Sequence, residues 1–336
     1  MIARRLRAFL PLAPLGRRVL PKLVCFRRLY SRGGGGRGNL LVATHNIMDG
    51  LFLNDLLKYY KGLSCRAENA SLVLCVQENI SWGENLRDDA AGRIADVLQQ
   101  ASADSSSYEI VRSSTAPRFA TIFDSNRLKL LESATVELPV LSKLPFWNKL
   151  VGLSLEQKHA LSCSFQDAED EKGGVYRVHN FHLDAAGNNA HRLRQFGYLV
   201  SHINAGKVFA GSNGEGDDQD IFCGDSNLFS FLKSTQIANL KKLAELMGAG
   251  GALVGDPMIP THFFSRANEP KFGHQVVYNV GKLGVDFPRC YDVLLTSMDV
   301  NDWGVLDTKE SDHNLVFGEF ETGRPGQKEQ IHFRGT

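Results

Sequence analysis

The sequence predicts an α/β protein in which strands outnumber helices. Short apolar runs of strand length recur along most of the chain, and four longer stretches between them space their apolar residues as one face of a helix. Several of the strand-like runs also end on Asn, Glu, His or Asp.

In chain order, NLLVATHN at 39–46 reads as a strand and LNDLLKYYKGL at 53–63 as a helix. SLVLCVQEN at 71–79 is a second strand. In ENLRDDAAGRIADVLQQ at 84–100, Leu86, Ala90, Ile94 and Leu98 share one helix face, while Arg87, Asp88 and Arg93 point outward. Strands follow at 108–113, 118–124 and 127–138, then HALSCSF at 159–165 and VYRVHNFHL at 175–183, with QDAEDEKGG as the polar hairpin tip between them. NNAHRLRQFGYLVSHIN at 188–204 is a helix, AGSNGEGDDQ at 210–219 a surface loop, DIFCGDSN at 220–227 a strand and FSFLKSTQIANLKKLAELMG at 229–248 a helix. RCYDVLLTS at 289–297 and HNLVFGEFE at 313–321 are the last strands. No repeat and no composition shift marks a second domain, so 38–321 reads as one domain followed by a polar tail, 322–336.

With 43% hydrophobic and 22% charged residues, the chain of 336 residues has ordinary globular composition. Its formal net charge of +1 conceals two unlike parts. Residues 1–37 hold ten Arg and Lys and no acid; removing those ten from the 38 bases leaves 28 against 37 acids, a balance of about −9. An arginine-rich, acid-free leader that ends in a Gly-rich spacer fits a mitochondrial transit peptide, and RRLYS at 27–31 is similar to a matrix processing site. The same composition suits a basic tail that touches nucleic acid or anionic lipid. The expected location is the mitochondrial matrix or another organelle. No stretch approaches the ~18 apolar residues of a membrane span, so a soluble mature chain is expected. Six scattered cysteines with no C-x-x-C pair exclude common zinc-ribbon spacings and point to a reducing compartment.

The strand ends carry the chemistry: Asn46, Glu78, His182, Asp225 with Asn227, Asp292, and Asp312 with His313. Each alone has an ordinary role as turn residue, cap or half-buried histidine. Gathered in one place, four carboxylates would repel one another unless a cation or an imidazolium compensated. Hard oxygen donors without thiolates select Mg²⁺ or Mn²⁺.

The ordered series THN, VQEN, NFHLD, GDSN, YDVLL and SDH resembles the endonuclease/exonuclease/phosphatase superfamily, from Leu40 to about Phe320. The resemblance implies a DNase I-like four-layer α/β sandwich, with two stacked, mainly antiparallel β-sheets flanked by helices and a site at one edge. It implies Glu78 as the main metal ligand, with Asp312 and Asn46, and Asp225 as the group that orients or deprotonates the attacking water. Asn227, expected two residues along the same strand face, would hold the phosphate, as would Asn46. His313 would contact the phosphate with Asp292 behind it, and His182 would stabilise the transition state or protonate the leaving group. Two positions depart from the pattern, His45 before Asn46 and Ser226 inside GDSN, and they are expected to alter substrate contacts.

NFHLD is similar to the His-Leu branch of that superfamily, and NIMDGLFLNDL, HLDAAGNNAHRLRQ and GDSNL resemble tyrosyl-DNA phosphodiesterases locally, although Phe229 stands where those enzymes have a basic residue. The implied activity is Mg²⁺-dependent hydrolysis of a phosphodiester, with nucleic acid as the partner and Arg118, Arg192 and Gln195 as possible substrate contacts. Arg118, Trp147, Lys149, Arg266 and Lys271 could form a basic, aromatic rim. A small phosphate ester, an inositol phosphate or a sphingomyelin head group are the other substrates, and a non-catalytic binding module is the remaining alternative. Substrate identity, cleavage polarity and oligomeric state stay open.

Overall fold

Strands that are apolar at every position need cover on both faces, and the architecture supplies it. The computed structural model describes residues 39–322 apart from 51–52, 80–88, 103–105, 145–154, 170–173, 210–218, 264–288 and 310. The basic leader, most of the polar tail, the 210–218 segment, and Leu86, Arg87, Asp88, Trp147, Lys149, Arg266 and Lys271 lie outside the described residues.

The first sheet contains β1 (Asn39–Asn46), β2 (Ala70–Gln77), β3 (Tyr108–Arg112), β4 (Phe119–Asp124), β11 (Val300–Leu306) and β12 (Leu315–Glu321), in the order β11-β12-β1-β2-β4-β3. The second contains β5 (Leu128–Glu137), β6 (His159–Asp167), β7 (Val175–His182), β8 (Gln219–Asp225), β9 (Ala252–Leu253) and β10 (Asp292–Thr296), in the order β5-β6-β7-β8-β10-β9. All neighbours pair antiparallel except β1 with β2 and β7 with β8. Those two parallel pairs are joined by crossovers containing α1 (Leu53–Arg66) and α3 (Asn189–Asn204), as parallel pairing requires. The other helices are α2 (Ala90–Ala101) and α4 (Lys233–Leu246).

Alternation along each strand sorts its residues between two cores. Leu40 and Val42 of β1, Val73 and Cys75 of β2, Ile221 and Cys223 of β8 and Leu294 of β10 meet between the sheets. Their neighbours Leu41, Ala43, Leu72 and Leu74 pack under α1 and α2, with Leu56, Tyr60, Ile94 and Leu98. Phe222, Val293 and Leu295 pack under α3 and α4, with Phe196, Leu199, Leu240 and Leu243. The result is the expected four-layer sandwich of two mainly antiparallel sheets between helices. The predicted face of α2 is buried at Ala90, Ile94 and Leu98, and Arg93 is exposed.

Some elements differ from expectation. β9 is two residues long and β11 is largely half-exposed, so neither carries an apolar run to reveal it. α4 begins at Lys233 and not at Phe229, because the carbonyls of residues 229–231 bond to Asn189 and Arg289 instead of to a helical turn. The five described cysteines are free thiols, and among the described residues no helix is long and apolar enough to cross a membrane.

Where the inner faces approach one edge, they turn polar. Gln77 Nε2 donates to Asn180 Oδ1 in the opposite sheet (2.7 Å) and to Thr44 Oγ1 (2.9 Å). Asn180 Nδ2 donates to the carbonyls of Val76 (3.2 Å) and Ala120 (3.0 Å), tying the second sheet to the backbone of the first. Close packing at this edge also demands Gly224: at φ +149°, a Cβ there would lie 1.8 Å from the carbonyl oxygen of Phe181.

Candidate active site

Parity and register together bring the strand ends into one place. Asn46, Asn180, His182, Asp225 and Asp292 continue the inner-face alternation of their strands, and His182 and Asp292 are both register partners of Asp225. Strand β10 runs antiparallel to β8, so its first residue meets the last of its neighbour. Strand β12 likewise runs antiparallel to β1, which returns Asp312 and His313 to the end carrying Asn46.

Asp225 is the hub. Its Oδ2 accepts a hydrogen bond from Asn46 Nδ2 at 3.1 Å and lies 3.5 Å from His182 Nε2 and 3.7 Å from His313 Nε2. Its Oδ1 accepts from the backbone N–H of Asn227 at 2.8 Å. Burial alone would raise its pKa, but His313, His182 and the Asn227 N–H outweigh that and hold the carboxyl below its ordinary range. His313 is gripped at Nδ1 by both oxygens of Asp292 (2.9 and 3.1 Å). Burial opposes its charge, yet Asp292, Asp312 and Asp225 drive its pKa well above the ordinary 6.5, making it an imidazolium. His182 goes the other way. Burial, and then the charge of Lys158, push its pKa down to about 3, leaving a neutral imidazole.

Glu78 sits just beyond β2, where strand alternation would aim it at the helical face. A left-handed backbone (φ 58°) turns it back, within 3.2 Å of Asn46 Nδ2 and 3.9 Å of His182 Nε2. Desolvation, and then the charges of Asp49 and Asp312, raise its pKa to about 7. Asp49 is itself left-handed (φ 55°), between Met48 (φ 49°) and Gly50 (φ 69°). The charges of Asp49 and Asp312 bear on Glu78, a repulsion that a divalent cation would relieve, and oxygen donors of this kind suit Mg²⁺ or Mn²⁺; the Asn46 amide turns its Nδ2 to Glu78 and its Oδ1 to the Met48 N–H. Among the described residues, the trios whose potential ligand atoms all lie within 4.8 Å of one another are His262–Asp312–His313 and Asp225–Asp292–His313.

Three expectations need correction. Asn227 is not on the strand, which ends at Asp225; it is left-handed (φ 49°) and its Nδ2 donates to the carbonyl of Leu183 at 3.0 Å. Arg192 and Gln195 do not face a substrate. Arg192 is buried and donates to the carbonyls of Asp184 and Ala185 and to Asn189 Oδ1, while Gln195 accepts from Asp184 N–H and donates to Pro139 O. Both brace the turn after β7. His45 and Ser226 are fully buried and bond inward, to Tyr60 Oη and to the carbonyl of Tyr291, so neither shapes a substrate contact. Arg118, by contrast, stands partly exposed at the rim, 3.7 Å from Asp49 Oδ1.

Sequence reasoning missed Asp49, Lys158, His262 and Thr261. Asp49 was legible in NIMDG, where Gly50 marks a turn directly after Asn46. His262 Nε2 lies 3.5 Å from Asp312, and its ring stacks on Tyr291 and meets His313 edge-on at 4.6 Å. Thr261 Oγ1 accepts from the N–H groups of Tyr291 and Asp292. Lys158, paired with Glu156 at 2.9 Å, lends positive charge beside His182.

No family model matches the sequence, and no curated protein matches it. The fold does have solved counterparts: it is that of the endonuclease/exonuclease/phosphatase proteins, represented by one from Bacteroides vulgatus (14% identity, TM-score 0.51, 85% of this chain and 99% of that chain). Among these counterparts is D. rerio TDP2 complexed with a single-strand DNA product (14% identity, TM-score 0.52, 84% of this chain and 98% of that chain). Another is ANGEL2, a 2′,3′-cyclic phosphatase, in complex with adenosine-2′,3′-vanadate (14% identity, TM-score 0.53, 85% of this chain and 96% of that chain).

The Glu78 environment makes a prediction about the metal-free protein. Its folded pKa of about 7 lies above the ordinary 4.5, so the native state holds an extra proton between those values and loses stability as pH rises through them. Thermal unfolding in chelator should therefore show Glu78→Gln melting above wild type at pH 8 and the gap closing below pH 4.5, where the glutamate is protonated in both folded and unfolded states. Magnesium at pH 8 should stabilise wild type more than the variant. A variant that melts lower than wild type at pH 8 in chelator would remove the repulsion argument.

Proposed function

We propose that the protein is a divalent-metal-dependent phosphodiesterase that hydrolyses a phosphodiester of nucleic acid. The observation that carries the reading is the convergence of Asn46, His182 and His313 on one oxygen of Asp225, with Asp292 behind His313. Such a hub pairs an ionised carboxylate with an imidazolium in a buried corner, the arrangement that base-assisted attack on a phosphate calls for.

Asp225 stays ionised and accepts a hydrogen bond from the attacking water, orienting it and taking up its proton. The Asn46 amide and the Asn227 N–H fix that carboxylate, so it need not reorganise during the reaction. His313, kept charged by Asp292, donates to a non-bridging phosphate oxygen. His182 is neutral and offers an N–H that stabilises developing charge, which suits it better to transition-state contact than to delivering a proton as an imidazolium. A divalent cation held by Glu78, Asp312, Asn46 and Asp49 would neutralise phosphate charge and stabilise the leaving oxygen.

Nucleic acid is favoured because the TDP2 structure holds a DNA product and the ANGEL2 structure an adenosine derivative, and because Arg118 stands at the rim. Residues 38–336 with Mg²⁺ should release product from single-stranded DNA, RNA or 5′-tyrosyl DNA. Asp225→Asn and His313→Gln should each lose at least about a hundredfold in kcat while unfolding at a similar temperature. Retained turnover in either variant would sink the mechanism. Activity confined to inositol phosphates or sphingomyelin would sink the substrate assignment.

The acid-free, arginine-rich leader supports an organelle as the place of action. A reporter fused to residues 1–40 should be imported into mitochondria; a diffuse cytosolic signal would contradict this.

A further inference from the structure

Phe231 and Leu232, 68% and 67% exposed, are the two most exposed large apolar side chains among the described residues. They lie on the loop that leaves the Asp225 strand, six and seven residues after that carboxylate. This loop is held at several points. Phe229 N–H donates to Asn189 Oδ1 (3.2 Å), and Asn189 Nδ2 donates to Phe229 O (2.7 Å). The Arg289 guanidinium donates to the carbonyls of Ser230 and Phe231 and lies over the Phe229 ring at 5.5 Å. Phe229 meets Phe231 edge-on at 4.8 Å.

A ring left 68% exposed contributes little burial to the fold, although the loop that carries it is tied down. The platform is also tied to the reacting groups. The backbone of Arg289 pairs with that of His262, whose ring touches His313 and whose Nε2 faces Asp312.

Resting on the phosphodiesterase reading above, the geometry points to a base-stacking platform: Phe231, backed by Phe229 and Arg289, holds a nucleobase of single-stranded nucleic acid next to the scissile phosphate. Every base offers a π-face to an exposed ring, and the buried Arg289 guanidinium beneath the loop, with Lys233 two residues along the chain, adds positive charge to this part of the surface. Duplex would hide its base faces in its own stack, so the platform selects strands whose bases are unstacked or splayed. A bilayer surface, the other partner for exposed apolar residues, would be matched by a broader apolar face than this pair.

The test is fluorescence anisotropy with the full chain in an Asp225→Asn background with Mg²⁺, which leaves the strand uncut. Phe231→Ala should weaken binding of a labelled single-stranded DNA about tenfold, the loss of one stacked base, and Phe231→Trp should restore it. Against a strand of abasic nucleotides, the parent and Phe231→Ala should bind alike. Equal affinity of parent and Phe231→Ala for the base-bearing strand would overturn the platform, as would a loss confined to phosphatidylcholine–phosphatidylserine vesicles. Phe231-dependent DNA binding without any Glu78-dependent cleavage by the wild-type site would uphold the platform while removing the hydrolase reading.

Discussion

The contact between Gln77 and Asn180 joins two sheets whose inner faces are mostly apolar until they reach this edge, where Asn46 also bonds Asp225 across the gap. Apolar packing is tolerant of small shifts, whereas a hydrogen bond between buried amides holds only within a narrow geometry. Gln77 is the last residue of β2 and immediately precedes Glu78; Asn180 shares an inner face with His182, two residues on. This hydrogen bond of 2.7 Å, with that from Asn46 to Asp225, sets the carboxylates of the first sheet against the histidine and aspartate row of the second. The carbonyls of Val76 and Ala120 complete the fit by accepting from Asn180, so slippage between the sheets would strand buried polar groups.

On that frame, charge is divided by position. Around Asp225, buried carboxylates are matched by the His313 imidazolium, with Asp292 holding the ring from behind. Around Glu78, carboxylates face one another without an equal positive charge, and the pKa of Glu78 climbs accordingly. The first arrangement balances its charges within the protein; the second leaves a repulsion that a bound cation would relieve. His182 lies between them, within 3.9 Å of Glu78 and 3.5 Å of Asp225, and its neutrality keeps the two halves distinct.

Much of this was legible in the residues. Strands buried on both faces write themselves as unbroken apolar runs, and their polar ends mark the edge where the site forms. The helices α1, α2 and α3 followed from apolar spacing. What escaped had local physical causes. β11 carries Asn301 and Asp302 in an exposed stretch, and α4 lost its predicted first turn to a loop pinned by Arg289 and Asn189. Arg192 and Gln195 looked like surface polar residues because their partners are backbone groups of a turn, which no spacing reveals. The reach of Glu78 depends on a left-handed φ at a non-glycine residue, and the departure of Asn227 from its strand depends on another.

The most direct test is the affinity of Mn²⁺ for Asn180→Ala, measured by titration calorimetry beside wild type on protein verified as folded. Asn180 touches no candidate ligand, so it acts on Glu78 through Gln77 and the Val76 and Ala120 carbonyls that it holds. Affinity should fall between about ten- and a hundredfold, as for residues that orient a metal ligand. Unchanged affinity in a folded variant would show that the site does not depend on the bond between the sheets.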